Sequence, residues 1–313
     1  MIAKLLGRLR RAPEPAPARA AAPPEHDAAA LLAQGNAALG RGELQEAKRC
    51  YRAACDAQPA EPTLRLNLGY VLLELGEAQE AVDALQQAIA LRRPQDAFVH
   101  EALYLRGRAE QALGRVEDAI ASFRAALGSR PGFEEPLLEI VPLLIAQSQA
   151  DEALALADAA SASTPSATSL MMRARALHAL KRYADALAAV DAVLAREPDH
   201  GGALESRGNL LLEVDRAEEA VAVFESLLAA RGPDPALLAN LAAALRELER
   251  PHDVVRLTAE AAKQHPQHAE LQLNRAIAQL TVGDLPAGWE GFEWRWHAWS
   301  APIRCMIKSP YWR

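Results

Sequence analysis

The chain has 313 residues and a net charge of -7; half of its residues are apolar, yet only 5% are aromatic. The acidic balance disfavours nucleic-acid binding, which needs a basic footprint, and no apolar run reaches the ~18 residues of a membrane span. Ala and Leu supply the apolar half, and with so few β-branched and aromatic residues the composition favours helix over sheet.

Residues 1–27 differ from the rest. Pro13, Pro15, Pro17, Pro23 and Pro24 stand among alanines, a stretch that cannot bury enough apolar surface to offset the cost of ordering, so disorder is expected. The first eleven residues place Ile2, Leu5, Leu6 and Leu9 on one side of a short basic helix. That helix would act either as a weak anchor to a membrane or partner or as a frayed terminus. Lys4, Arg8, Arg10 and Arg11 interrupt it too often for a secretory signal.

From Ala28 onward the sequence repeats. Gly35, Gly69, Gly107, Val141, Ala174, Gly208, Ala242 and Ala276 occupy one shared position, spaced 34, 38, 34, 33, 34, 34 and 34 residues apart. A second small residue follows twelve positions later: Ala47, Ala81, Ala119, Ala153, Ala186 and Ala220, with Val254 and Gly288 departing. Four further on stands a larger side chain in most repeats, namely Tyr51, Leu85, Phe123, Val190 and Phe224. Proline closes the units at Pro59, Pro94, Pro131, Pro165, Pro198, Pro233 and Pro266. This pattern predicts pairs of helices of about 14 residues, neither of which buries its apolar face alone. Small residues let the two backbones approach, the large residue fills the gap to the next hairpin, and proline ends the unit. Glycine between the helices, as in ALGRGELQEA and ALGRVEDA, suits a helix C-terminus.

The spacing resembles the tetratricopeptide repeat (TPR) family over residues 28 to about 300. That resemblance implies an all-α fold, a right-handed α-α superhelix of seven to eight helix-turn-helix repeats, whose first helices face a concave groove. The domain reading is a disordered leader at 1–27, a solenoid at 28–288 and a Trp-rich segment at 289–313. The fourth repeat is the most degenerate, with Val141 at the small position, Pro142 inside the first helix and Ala157 in place of the aromatic. Either it bends the stack or it is a drifted repeat held by its neighbours.

The function implied is a scaffold that binds a protein or peptide in the groove. Groove candidates are Asn36, Asn67, Tyr70, Tyr104, Arg108, Arg175, His178, Asn209, Asn240, Arg246 and Asn274. They form a mixed polar surface without the run of Lys and Arg that would clamp a carboxylate. Asn67, Asn240 and Asn274 share one repeat position, and Asn36 and Asn209 another. Their amides can bracket an extended peptide backbone, as in the TPR region of O-linked N-acetylglucosamine transferases, or reflect the frequency of Asn in TPR sequences.

No catalytic, cofactor or metal constellation stands out. His265 and His268 lack further ligands at metal spacing, and Gly201-Gly202 lacks the Lys-Ser/Thr of a phosphate loop. Cys50 and Cys55 are five residues apart on one helix, about 8.6 Å between Cα atoms and too far to bridge. With Cys305 they suggest a reducing, cytoplasmic setting.

All five tryptophans fall between 289 and 312. Trp289, Phe292 and Trp296 share one helical face, whereas a terminal repeat should carry a polar outer surface. GDLPAGWEGFEWRW resembles the segment joining TPR repeats to a glycosyltransferase domain in bacterial relatives of O-linked N-acetylglucosamine transferases, and SPYWR the opening of that domain. The resemblance implies an acceptor-recognition half whose catalytic half lies outside this chain. The tail is therefore expected to dock on a C-terminal domain or to self-associate, unless it folds back on the seventh repeat as a cap.

Overall fold

A computed structural model describes residues 27–92, 97–130, 132–163 and 165–298. The leader, Cys305, Trp299, Trp312 and the SPYWR segment lie outside the described residues. Among the described residues there are sixteen α-helices, one terminal 3-10 turn and no strand.

The chain divides between Ser169 and Leu170 into two compact units. In the first, α1 (Ala28–Gly40) pairs with α2 (Leu44–Ala57), α3 (Pro62–Glu74) with α4 (Ala78–Ala90), α5 (Val99–Ala112) with α6 (Val116–Ser129), and α7 (Glu135–Ala146) with α8 (Ala150–Ser163). The second helix of each hairpin packs on the first helix of the next: α2 on α3, α4 on α5, α6 on α7. Helix α9 (Ala167–Ala179) runs across the division. In the second unit α10 (Tyr183–Leu194) packs on α11 (Gly201–Glu213). Beyond them α11 pairs with α12 (Ala217–Arg231), α13 (Pro235–Glu247) with α14 (Pro251–Gln264), and α15 (Ala269–Val282) with α16 (Leu285–Phe292). The turn Glu293–Trp296 follows α16.

Helix starts are written locally. Asp27 and Asp234 accept backbone N–H bonds at 3.0 Å from Ala29 and from Ala236 and Leu237. His200 and His268 do the same through Nδ1, from Ala203 at 3.1 Å and Leu271 at 3.3 Å. Proline opens α3, α7, α13, α14 and α16, where its missing N–H costs nothing.

The turn inside every hairpin is the same device. Gly42, Gly76, Gly114, Ser148, Lys181, Asp215, Glu249 and Gly283 all have positive φ, and each lies seven residues after the shared small position. The following N–H donates to the carbonyl five residues back at 2.8–3.0 Å in all eight turns, the bond that closes a helix C-terminus over a left-handed residue.

The hairpin interior shows where the large residue sits. It lies over the small position of its own hairpin. A Cβ built on Gly35 would fall 2.6 Å from the Tyr51 ring, on Gly69 2.5 Å from Leu85, on Gly107 2.6 Å from Phe123, and on Gly208 2.5 Å from Phe224. Those four large side chains are completely buried. Where the small position holds Ala174, the residue sixteen later is Val190, and where it holds Ala242, that residue is Thr258. The fourth repeat inverts the sizes, with Val141 and Ala157 both fully buried, and volume-conserving swaps of this kind are the ones cores tolerate. Helix α7 runs unbroken past Pro142.

Candidate functional site

Helices α3 and α5 are buried over most of their length: Leu64 and the whole run Leu66–Leu72 on α3, and His100–Leu105 on α5. A helix enclosed on nearly all sides can offer a ligand only the few groups that reach its open edge. On α3 and α5 most of those groups are polar, with Leu73, Val99 and Ala112 the apolar exceptions. Tyr70 and Tyr104 are each 3% exposed, so their rings belong to the packing. Tyr104 lies edge-on to Phe133, centroids 5.7 Å apart, and tilted against Phe123 at 6.0 Å. Among the described residues, neither tyrosine hydroxyl makes a hydrogen bond.

Arg108 stands one turn beyond Tyr104 and half-exposed, its Nη1 4.0 Å from Glu74 Oε1. Its charge is felt by both phenols. Burial pushes the Tyr70 hydroxyl pKa up, Glu74 pushes it further, and Arg108 pulls it back. Burial likewise raises Tyr104, with Arg108 opposing it and Glu139 and Glu135 reinforcing it. Both phenols are thus neutral donors at ordinary pH, gathered with one guanidinium and three carboxylates on α3, α5 and α7. The sequence singled out Tyr70, Tyr104 and Arg108 from their repeat positions. Glu135 and Glu139 were passed over, although their spacing of four residues on α7 places them on one face.

The asparagines do other work. Asn36 Oδ1 accepts from the Tyr51 hydroxyl at 2.8 Å, within one hairpin. Asn274 Nδ2 donates to the Ala239 carbonyl at 3.0 Å, and Asn274 Oδ1 accepts from Arg246 at 2.5 Å, which ties α13 to α15. Burial lowers the Arg246 pKa, with Glu247 opposing it. Asn67 is buried and Asn240 half-buried. Arg175, His178 and Asn209 are exposed, and the His178 ring meets Tyr183 at 5.4 Å.

At the C-terminal end, α16 is a shortened second helix seated on α15. It runs through the position expected to separate the solenoid from the tail. Trp289 meets Phe292 edge-on at 5.8 Å, and Arg295 stacks over both Phe292 at 4.9 Å and Trp296 at 4.6 Å.

Helical hairpins repeated at 33 to 38 residues, each closed by the same left-handed turn, define a helix-turn-helix repeat protein. The family model described as tetratricopeptide repeat matches residues 32–97, 80–132 and 138–200, more than half of the chain. The chain belongs to the tetratricopeptide repeat family. A second model, described as the N-terminal TPR repeats region of Psidin, matches residues 176–285. Comparison with curated proteins gave no match. Among solved structures, a tetratricopeptide repeat protein from Parabacteroides merdae is similar at 17% identity and a TM-score of 0.58, over 85% of this chain and 98% of that one. YrrB, described as a TPR protein with an unusual peptide-binding site, aligns at 20% identity and a TM-score of 0.47, over 59% of this chain and 93% of its own. MamA from Desulfovibrio magneticus aligns at 21% and 0.45, over 54% and 93%.

Proposed function

We propose that this chain is a scaffold that holds a peptide segment of a partner protein against α3, α5 and α7, with Tyr70, Tyr104 and Arg108 as its anchors. The observation that carries this reading is the pair of buried neutral phenols, without hydrogen-bond partners among the described residues, both within electrostatic reach of the half-exposed Arg108 guanidinium. Two hydroxyl donors suit the carbonyls of an extended backbone, and Arg108, already countered by Glu74, suits a polar or acidic side chain. TPR proteins characteristically bind proteins or peptides, which supports the class of ligand. Buried thiols at Cys50 and Cys55 suit a reducing, cytoplasmic setting.

The test begins with peptides selected from a displayed random library against the full chain. Tyr70→Phe and Tyr104→Phe remove only the hydroxyls and spare the buried rings. Each should weaken the selected peptide about tenfold, the scale of one hydrogen bond in a desolvated site, with helicity unchanged. Unchanged affinity in both variants and in Arg108→Gln would place the peptide elsewhere.

The acceptor-recognition reading of the C-terminal segment rests on its motif alone; the TPR model that matches residues 176–285 ends before Trp289.

A further inference from the structure

Helix α7 carries two stripes of the same spacing. Leu137, Ile140, Val141 and Leu144 are fully buried. Two residues earlier in each case, Glu135, Leu138, Glu139 and Pro142 are half-exposed. Both sets run i, i+3, i+4, i+7, so they lie on opposite sides of the helix. The open side thus holds two carboxylates one turn apart, flanked by apolar groups. Glu135 and Glu139 take part in no hydrogen bond or ion pair among the described residues. The helix dipole favours Glu135, in the first turn. It gives no reason for Glu139, a turn further in.

Charge around this stripe is one-sided. Residues 131–172 hold Glu134, Glu135, Glu139, Asp151, Glu152 and Asp158 and no Lys, Arg or His. Arg124 reaches from α6 to Glu152, and Ser166 donates to Glu134 Oε2 at 2.6 Å. On α3 and α5, by contrast, Glu74 meets Arg108 and Glu110 meets Arg106.

Two other groups point to what the stripe would take. Tyr104 is almost wholly buried and stands edge-on to Phe133, two residues before Glu135. The carboxylates its hydroxyl feels are Glu139 and Glu135, and that hydroxyl has no hydrogen-bond partner among the described residues. Pro142 has no N–H, so the Leu138 carbonyl lacks the donor that would close its helix bond. Two carboxylates, a phenol oxygen and this carbonyl make a surface of acceptors. A cationic side chain with several N–H donors satisfies it, and its alkyl stem suits the apolar flanks.

We propose that α7 sets the selectivity of the peptide site: a Lys or Arg side chain of the bound segment lies between Glu135 and Glu139, with its stem along Leu138 and Pro142. This rests on the reading that the first helices hold a peptide, and adds which peptides they choose. Acidic segments are repelled at the same place.

Two displayed random peptide libraries, identical except that one lacks Lys and Arg, are selected against the full chain. Peptides should be enriched from the complete library and not from the other. Replacing the shared basic residue of an enriched peptide by Gln should weaken it at least about tenfold, the scale of a charge-assisted hydrogen bond. The Glu135→Gln, Glu139→Gln double variant should weaken the original peptide as much, and the Gln-substituted peptide little further. Both positions are half-exposed, so helicity should be kept; if it is lost, Glu139→Gln alone carries the test. Equal enrichment from both libraries, or none from either, overturns the inference. So does a double variant that binds the peptide as the wild type does. If that peptide still depends on the Tyr70 and Tyr104 hydroxyls, the groove reading stands and only the choice of a basic residue falls; if it does not, both fall. A wild-type dimer that the double variant makes monomeric would put a second copy on α7, and overturns it too.

Discussion

Gly208 and Phe224 show how this family's spacing works at the residue scale. The ring lies where a Cβ would be, 2.5 Å away. Gly208→Ala should cost about 1–3 kcal/mol, the usual penalty of overpacking a close-fitted core, read as a fall in the denaturation midpoint. Adding Phe224→Val should restore most of it, since Ala174 and Val190 already coexist at the same two positions. A double variant no better than the single would mean that glycine is needed for its backbone instead. The sequence made the spacing legible because small residues recur in register. It did not make the partner legible, since period alone cannot say whether a side chain points into its own hairpin or the next. Cys55 gives a second prediction. Burial pushes its thiol up to about 11, with Arg65 opposing and Asp56 reinforcing the shift. Thiolate is the reactive form, so native Cys55 should be alkylated at least about a hundredfold more slowly than an ordinary thiol near neutral pH. Alkylation at equal rates in native and urea-unfolded protein would contradict its burial.

At the scale of elements, the hairpin turn is the most regular feature, and sequence read it only in part. Gly42, Gly76 and Gly114 announce it. In the next four repeats Ser148, Lys181, Asp215 and Glu249 take the same left-handed conformation, with φ between 54° and 61°. Of these only Asp215 is a residue type that favours it; all four are held by the hydrogen bond that closes the preceding helix. L-residues pay about 1–2 kcal/mol there. Glu249→Gly and Lys181→Gly should therefore stabilise the protein by roughly 1 kcal/mol each, less the extra entropy of glycine in the unfolded chain. Thermal denaturation of the two variants checks this, and a lowered midpoint would mean that the side chains themselves support the turn. The last helix was harder to foresee. Trp289, Phe292 and Trp296 read as one helical face, but α16 ends at Phe292 and continues as a 3-10 turn. Gly288 and Gly291, where an added Cβ would meet Leu280 and Ala276, lie at positions where earlier repeats carry other residues.

For the whole molecule, the family and the all-α architecture were legible because eight repeats state the same pattern. The ligand surface was less so. Groove positions inferred from register divide, in the structure, into groups that stitch helices together, as Asn36 and Asn274 do, and groups left available beside Arg108. A repeat position fixes where a side chain starts but not which neighbour claims its hydrogen bonds. The account's central claim is that peptide is held by the first helices of the first unit. Hydrogen exchange of the full chain, with and without a library-selected peptide at saturation, tests it most directly. Protection should increase in α3, α5 and α7, around Tyr70, Tyr104 and Arg108, while the second helices α4 and α6 stay unchanged. Added protection confined to α4 and α6, or to α15 and α16, would contradict it.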